Sequence, residues 1–452
     1  MISKRQFQIL TLGCKVNQYE SQFVRELLEQ AGWTQTDSGK NDLCIVNTCT
    51  VTHEADAKGR QAIRRFHAEN PKAAVVVMGC FATRDPQGVA QLPGVTKVIT
   101  DKTKLAEDLA PFGVLPTLQG ISRFDDHQRA FVKVQDGCLL NCSYCIIPSV
   151  RPGMRSRSMA DIAMEVSRLA EAGYQEMVLT GIHLGHYGLD LSKGLPKEKW
   201  SRLWHLLESL DALPGDFRIR LSSLEAAEVR EDFLKALKQS RRVVPHLHLC
   251  LQSGSDKILG AMRRRYRRDS FLDHCQRVRE ILDAPALTTD VIYGFPGETE
   301  KDFDDTVEVC QKAGFCKIHL FAYSPRAGTD AARFPETVEP QIKAARRKRL
   351  LEVEAGLLET YQTRMVGRVL DVLVEQPLEN RPGWVRGTSC RHVQVGFEGT
   401  LGALRKHRFP IRITGIEKGL LLGEPIPMKE SVAPLRPVPK TQRFALETIS
   451  LA

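Results

Sequence analysis

Read from its periodicities, the chain is an α/β protein in three folded parts: an N-terminal domain on a parallel sheet, a central partial TIM (β/α)6 barrel, and a small C-terminal β-barrel. Three observations lead there. At 452 residues the chain exceeds what one hydrophobic core organises, so about three domains is the natural division. Short apolar runs alternate with stretches of helical periodicity over most of the length, as in parallel sheets flanked by helices. Beyond the long helix of the 340s to 360s the pattern becomes short alternating strands separated by glycines, the pattern of a small barrel.

In order, strands are expected over 7–12, 43–47 and 74–78, with helices between them over 19–31 (Phe23, Leu27 and Leu28 at helical spacing) and 55–66. A Pro-, Gly- and polar-rich stretch over 111–126 leads out of this βαβαβ unit. A second series has strands over 131–134, 177–179, 217–221, 246–251, 287–293 and 316–321, and a barrel of that kind works at the C-terminal ends of its strands. A charged helix over 340–366 precedes strands over 369–375, 384–387, 392–397 and 411–416, and a proline-rich tail follows. The expected divisions are therefore 1–115, a linker 116–128, 129–362, 363–424 and a tail 425–452.

Composition narrows the class. Hydrophobic residues at 42% and charged residues at 26% fit a folded globular protein and exclude a fibre or wholesale disorder. The longest apolar run, 73–78, is far short of a membrane span and no secretory apolar core opens the chain, so a cytoplasmic protein with no membrane partner is expected. A net charge of +10 points toward a polyanion. Twelve cysteines in a reducing compartment read as metal ligands or thiols rather than disulfides.

Cys138, Cys142 and Cys145 form a Cys-x3-Cys-x2-Cys loop directly after the first strand of the second series, on the face where such a barrel works. A structural zinc site closes with four ligands and usually pairs two cysteine knuckles, and no second knuckle is present. Three thiols on a 4Fe-4S cluster leave one iron free for the amino and carboxylate groups of S-adenosylmethionine (SAM). The cluster can then reduce the sulfonium and release a 5′-deoxyadenosyl radical. The Cys-x3-Cys-x-aromatic-Cys pattern, with the run 179–188 and the strand ends at 220–225, 248–255 and 290–298, resembles the radical SAM superfamily. The resemblance implies that Tyr144 lies beside the SAM adenine. It also implies SAM contacts from Gly181, His183, Gly185, Ser222, Glu225, Gln252, Asp290 and Gly294.

Cys14, Cys49 and Cys80 stand at three separate places, each just after an expected strand, and strand C-termini of a parallel sheet share one edge. Either they converge as a second ligand set or they are three separate buried cysteines. Cys44, Cys250, Cys275, Cys310, Cys316 and Cys390 share no spacing and read as packing. The runs 11–21, 47–52 and 146–157 resemble the methylthiotransferases, a radical SAM subfamily with a second 4Fe-4S cluster. Gly13-Cys14-Lys15-Val16-Asn17-Gln18 is similar to the branch that acts on N6-threonylcarbamoyladenosine at tRNA position 37. The sequence departs from the family at Pro152, Leu139 and Asn141.

The resemblance implies two 4Fe-4S clusters held by the two triads, with SAM and a sulfur atom bound on them and no catalytic side chain beyond these. It implies the tRNA anticodon loop as partner and leaves the sulfur and electron donors unidentified. The adenine C2–H bond is inert to acid–base chemistry, so both open irons must face one pocket. The C-terminal part resembles a TRAM domain, with Arg364, Arg368, Arg386, Arg391, Arg405, Lys406 and Arg408 as candidate phosphate contacts. In the run 263–268, either Arg264 and Tyr266 match a barrel motif of the family, with the flanking arginines left for RNA, or the run is a plain basic helix start. Two alternatives stand beside this reading. One is a methylthiotransferase acting on isopentenyl-adenosine tRNA or a ribosomal-protein aspartate; the other is a noncatalytic iron-sulfur or zinc RNA-binding protein.

Overall fold

The computed structural model describes residues 5–36, 40–116, 119–125, 127–335, 337–404 and 406–426. The expected tail lies outside the described residues except for its first two positions, as does Arg405. No helix among the described residues is long and apolar enough to cross a membrane.

The N-terminal sheet holds β1 (Gln6–Thr11), β2 (Thr34–Gln35), β3 (Leu43–Thr48), β4 (Ala74–Gly79) and β5 (Val95–Val98), all parallel, in the order β2-β1-β3-β4-β5. Every residue of β3 is buried because helices cover both faces. Leu43 and Ile45 pack with Val24, Leu27 and Leu28 of the helix Lys15–Gln30. Cys44 and Val46 pack on the opposite side with Ile63 and Phe66 of the helix His53–Glu69. The two short outer strands β2 and β5 escaped the sequence reading, since neither has a run long enough to show a period.

Eight strands form the central part: β6 (Ala130–Asp136), β7 (Arg155–Ser156), β8 (Glu176–Gly181), β9 (Arg218–Leu221), β10 (Ser223–Glu225), β11 (His246–Cys250), β12 (Ala286–Tyr293) and β13 (Lys317–Ala322). β9 and β10 are one strand interrupted at Ser222. Its first half pairs with β8 and its second with β11, which welds the orders β7-β6-β8-β9 and β10-β11-β12-β13 into one curved sheet. All pairings are parallel except β6 with β7. Alternation sends Leu247 and Leu249 outward into the helix-covered core, while His246, His248 and Cys250 face the lumen. Arg218 and Arg220 do the same opposite Ile219 and Leu221, so this barrel has a polar interior.

After the helix Pro340–Thr363 the chain closes a five-stranded barrel from β14 (Val369–Pro377), β15 (Trp384–Ser389), β16 (Gln394–Glu398), β17 (Arg408–Glu417) and β18 (Leu420–Pro425). β18 is not among the expected strands, because it runs straight into the proline-rich segment. This small barrel plugs the floor of the central one. Its core includes Ala286 and Cys316, at the starting ends of β12 and β13. Arg218 donates to the Asp371 carbonyl at 2.7 Å and its Oδ2 at 3.0 Å, Arg220 donates to the Ser389 carbonyl at 2.9 Å, and His392 stacks on His246 at 4.4 Å.

Candidate active site

β1, β3 and β4 are neighbours, so their C-terminal ends bring Cys14, Cys49 and Cys80 to one edge of the sheet. Cys14 caps the helix Lys15–Gln30 and Cys80 opens the helix Cys80–Arg84. Burial raises the thiols of Cys49 and Cys80, and each also feels the charge of the Cys14 thiol. Two glycines permit this convergence. Gly13 has φ +103° and a Cβ there would lie 2.9 Å from the Cys49 Cβ; at Gly79, φ +95°, it would lie 2.3 Å from the Thr48 carbonyl oxygen. Asn17 ties the two strand ends together, donating to the carbonyls of Leu12 at 2.8 Å and Thr48 at 3.0 Å.

Cys138, Cys142 and Cys145 follow β6 on one loop, which is fastened to the far side of the barrel by Ser143 Oγ donating to the Ala261 carbonyl at 2.7 Å. Burial pushes the Cys145 thiol up to about 12. The Cys142 thiol is raised by burial and partly relieved by Arg264, whose guanidinium donates to its Sγ at 3.3 Å. Cys138 Sγ lies 3.5 Å from His183 Nδ1. Burial pulls the His183 imidazole down, but Cys138 and Glu228 outweigh it and hold the ring at about 9.

Arg151, on the segment after the cysteine loop, joins the two triads. It is buried, donates to Cys80 Sγ through Nε at 3.4 Å, and holds Glu20 through both terminal nitrogens at 2.8 and 2.9 Å and Asn17 Oδ1 at 2.8 Å. Arg326 makes a second stitch from the segment after β13 to Thr50 Oγ1 at 2.9 Å. Each triad offers three soft thiol ligands, the donor set of a 4Fe-4S cluster with one iron left open, whereas a structural zinc site closes with four ligands.

A cavity of about 210 Å³ opens beside the cysteine loop, lined by Tyr144 and Cys145, by Val51 and Thr52 of the segment after Cys49, and by Gln252 and Asp290. Tyr144 meets Phe295 edge-on at 6.5 Å. Gln252 takes φ +65°, rare for a side-chain-bearing residue, at the end of β11. Ser222 Oγ is buried without a hydrogen-bond partner, as a group awaiting a polar ligand is, while Glu225 Oε1 is buried 3.4 Å from the Arg264 guanidinium. Gly181 and Gly185 lie where a Cβ would press on Gln135 at 3.0 Å and overlap Glu228 at 1.6 Å, so both serve close backbone packing. Gly294 differs from the others: its N–H is taken by Glu298 at 2.6 Å, in a turn braced by Arg346.

Several expectations are corrected. Cys250 faces the lumen 3.8 Å from Asp290 rather than packing in the core, because alternation on β11 gives it the same face as His248. Arg220, at the start of the strand-end run 220–225, turns to the floor, bonded to Glu176 at 3.0 Å. Arg391 and Arg408 spend their guanidinium groups on Asp283 and Asp216 of the central part, which fastens the small barrel to the large one, and Arg408 also holds Asp371 within the small barrel. Arg264 and Tyr266 are buried while Arg263, Arg265 and Arg267 are exposed, the alternation expected of that run. Two groups of possible metal ligands were not singled out from sequence: His183, His186 and Glu228, and His248, Asp290 and His319, each with ligand atoms within 4.8 Å. The alternating histidines of β11 were the available signal.

Residues 6–101 match the model of "Uncharacterized protein family UPF0004" and residues 132–310 that of the radical SAM superfamily. The chain is 35% identical to the threonylcarbamoyladenosine tRNA methylthiotransferase MtaB of Bacillus subtilis, over 86% of this chain and 90% of that protein. It is 38% identical to the protein of the same name from Chlamydia pneumoniae, over 82% and 87%. With a tRNA-2-methylthio-N(6)-dimethylallyladenosine synthase of Mycobacterium marinum it shares 35%, over 82% and 75%. Among solved structures it is similar to the radical SAM methyltransferase TsrM from Kitasatospora setae, with a TM-score of 0.53 at 15% identity, covering 73% of this chain and 77% of that one.

Proposed function

Because the chain belongs to the methylthiotransferase family of radical SAM enzymes, we propose that it places a methylthio group on carbon 2 of N6-threonylcarbamoyladenosine at tRNA position 37, giving 2-methylthio-N6-threonylcarbamoyladenosine. The observation that carries this reading is that one cavity is lined by Cys145 of the loop triad and by Val51 and Thr52 next to Cys49, with Arg151 bonded across the same boundary to Cys80. When bound, two 4Fe-4S clusters and SAM supply radical C–H activation and the sulfur to be transferred.

The protein's own residues hold and shield. Cys138, Cys142 and Cys145 would hold the SAM-binding cluster, and Cys14, Cys49 and Cys80 the second. Arg264 and Arg151 each give an N–H to one cysteine sulfur, which offsets thiolate charge in a poorly hydrated site. Tyr144, Gln252 and Asp290 border the cavity where SAM would lie, Ser222 brings a hydroxyl without a hydrogen-bond partner, and Glu225 a carboxylate already ion-paired with Arg264 at 3.4 Å. His183 and Gly181 support the cysteine loop and its strand from the end of β8, Gly185 lets Glu228 pack close, and Gly294 shapes the turn after β12. In this reading 1–115 carries the second cluster, 129–362 the radical chemistry and 363–424 grips tRNA, with Arg364, Arg386 and Lys406 nearest to free phosphate contacts. The anticodon loop then reaches the cavity from outside.

Nucleoside mass spectrometry of tRNA from a strain lacking the gene tests the reaction. Loss of the 2-methylthio form of threonylcarbamoyladenosine, with its unmodified precursor accumulating, is the expected result. Loss of 2-methylthio-isopentenyl-adenosine instead, or no change in either nucleoside, would overturn it.

A further inference from the structure

Lys15 opens the helix Lys15–Gln30 immediately after Cys14, and its neighbours Val16 and Asn17 are buried while its own side chain stays accessible. The helix it opens is docked on the central barrel, with Tyr19 in that barrel's core and Lys133 bonded to Glu20 at 2.8 Å, so the helix start faces the barrel mouth. The charges acting on its ammonium include Cys14 of the N-terminal triad, Asp290 at the mouth, and Arg129 and Arg220 deeper inside. Its charge in turn reaches His246 on β11 and His392 on the floor.

The other lumen cations are already paired. Arg129 holds Glu176 at 3.2 Å and also Glu375, Arg218 holds Glu176 at 2.6 Å and Asp371 at 3.0 Å, and Arg220 holds Glu176 at 3.0 Å. Asp290 lies 3.3 Å from His248. Lys15 has neither an ion pair nor a hydrogen bond among the described residues. An unpaired ammonium in a recessed polar chamber selects for an anion, and the chamber is where the modified base must come to meet both triads.

Resting on the reaction proposed above, the geometry points to Lys15 as a specificity-determining residue that binds the carboxylate of the threonylcarbamoyl group. The substituent on N6 of that nucleoside is a urea ending in a threonine carboxylate. A dimethylallyl substituent is uncharged and apolar, and gains nothing from an ammonium while costing its desolvation. Lys15 thus both attracts the acidic substrate and disfavours the apolar one.

The test uses the reconstituted holoenzyme on anticodon stem–loop RNAs carrying threonylcarbamoyladenosine either as the free acid or as its methyl ester, with kcat and KM measured separately. The wild type is expected to lose about 10- to 100-fold in kcat/KM on the ester, the range for losing one charge-assisted hydrogen bond. Lys15→Met should lose as much on the acid and treat acid and ester alike. Lys15→Arg should keep most of the preference, and iron content should not change in either variant. Should Lys15→Met fail to load iron beside Cys14, the wild-type comparison of acid with ester decides alone. Equal turnover of acid and ester by the wild type, or an undiminished preference in an iron-replete Lys15→Met, would overturn the assignment. Absence of product from every threonylcarbamoyl RNA would instead sink the reaction proposed above, and this assignment with it.

Discussion

Arg151 Nε donates to Cys80 Sγ at 3.4 Å, although Arg151 follows the cysteine loop of the central barrel and Cys80 ends a strand of the N-terminal sheet. The same guanidinium grips Glu20, which burial would raise but which Arg151 and then Lys133 hold below the usual carboxylate range. One buried side chain therefore sets how the two thiol triads face each other, and its counterpart Arg264 treats Cys142 alike at 3.3 Å.

Replacing Arg151 by Ala leaves the Glu20 carboxylate buried with only Lys133 at 2.8 Å. A broken buried pair of this kind costs about 3–5 kcal/mol. The expected outcome is a clear fall in Tm by calorimetry, with SAM cleavage impaired less than methylthiolation. Arg151→Lys, which cannot reach Glu20, Asn17 and Cys80 together, should recover only a minor part.

The glycine before Cys80 is more constrained than the one before Cys14. Gly79 has φ 95° and ψ −168°, a region open essentially to glycine alone, and its Cβ would meet backbone atoms of Thr48. At Gly13, φ +103°, the nearest obstacle is Cys49 Cβ at 2.9 Å, which moves only with its backbone, but the overlap is smaller than the 2.3 Å approach at Gly79. Gly79→Ala should cost about 3 kcal/mol or more through strain and overlap together, and should halve the bound iron, read by iron analysis. Gly13→Ala should keep more of it.

Substituting Cys14, Cys49 and Cys80 together by Ala should leave about half the iron and intact SAM cleavage, with no methylthio product. The matching Cys138, Cys142 and Cys145 variant should lose SAM cleavage as well. Retained methylthiolation in the first variant would remove the two-cluster scheme.

Asp302 carries a pH dependence. It accepts from Ser255 Oγ at 2.6 Å and from the Thr299 N–H at 2.9 Å, capping the helix Glu300–Ala313. Burial would raise its carboxyl, yet Ser255 and Thr299 hold it down at about 2. A folded value below the unfolded one, near 3.9, contributes stability that is present above pH 4 and lost as pH falls toward 2. The contribution is about 2 kcal/mol. Asp302→Asn should be less stable than wild type at pH 7 by about that amount, with the gap narrowing from pH 4 to pH 2 in unfolding curves.

The order of strands in both α/β parts was legible because a buried strand and an amphipathic helix each leave a local period, and the six cysteines stood out because each follows such a strand. Short elements without a period, β2, β5 and β18, were not legible. The central cysteine loop needs only a few covalent bonds to bring its thiols together, so spacing sufficed there. For Cys14, Cys49 and Cys80 the chain could give positions at strand ends, while convergence required β1, β3 and β4 to be adjacent, which is a property of strand pairing. Lys15 could be read as part of a motif, but its projection among Asp290, Arg129 and Arg220 came from docking one sheet against another barrel. Likewise nothing in Arg391 or Arg408 marks them as fasteners rather than phosphate contacts. Contacts between segments far apart in the chain carry no period, and only packing decides which charges meet.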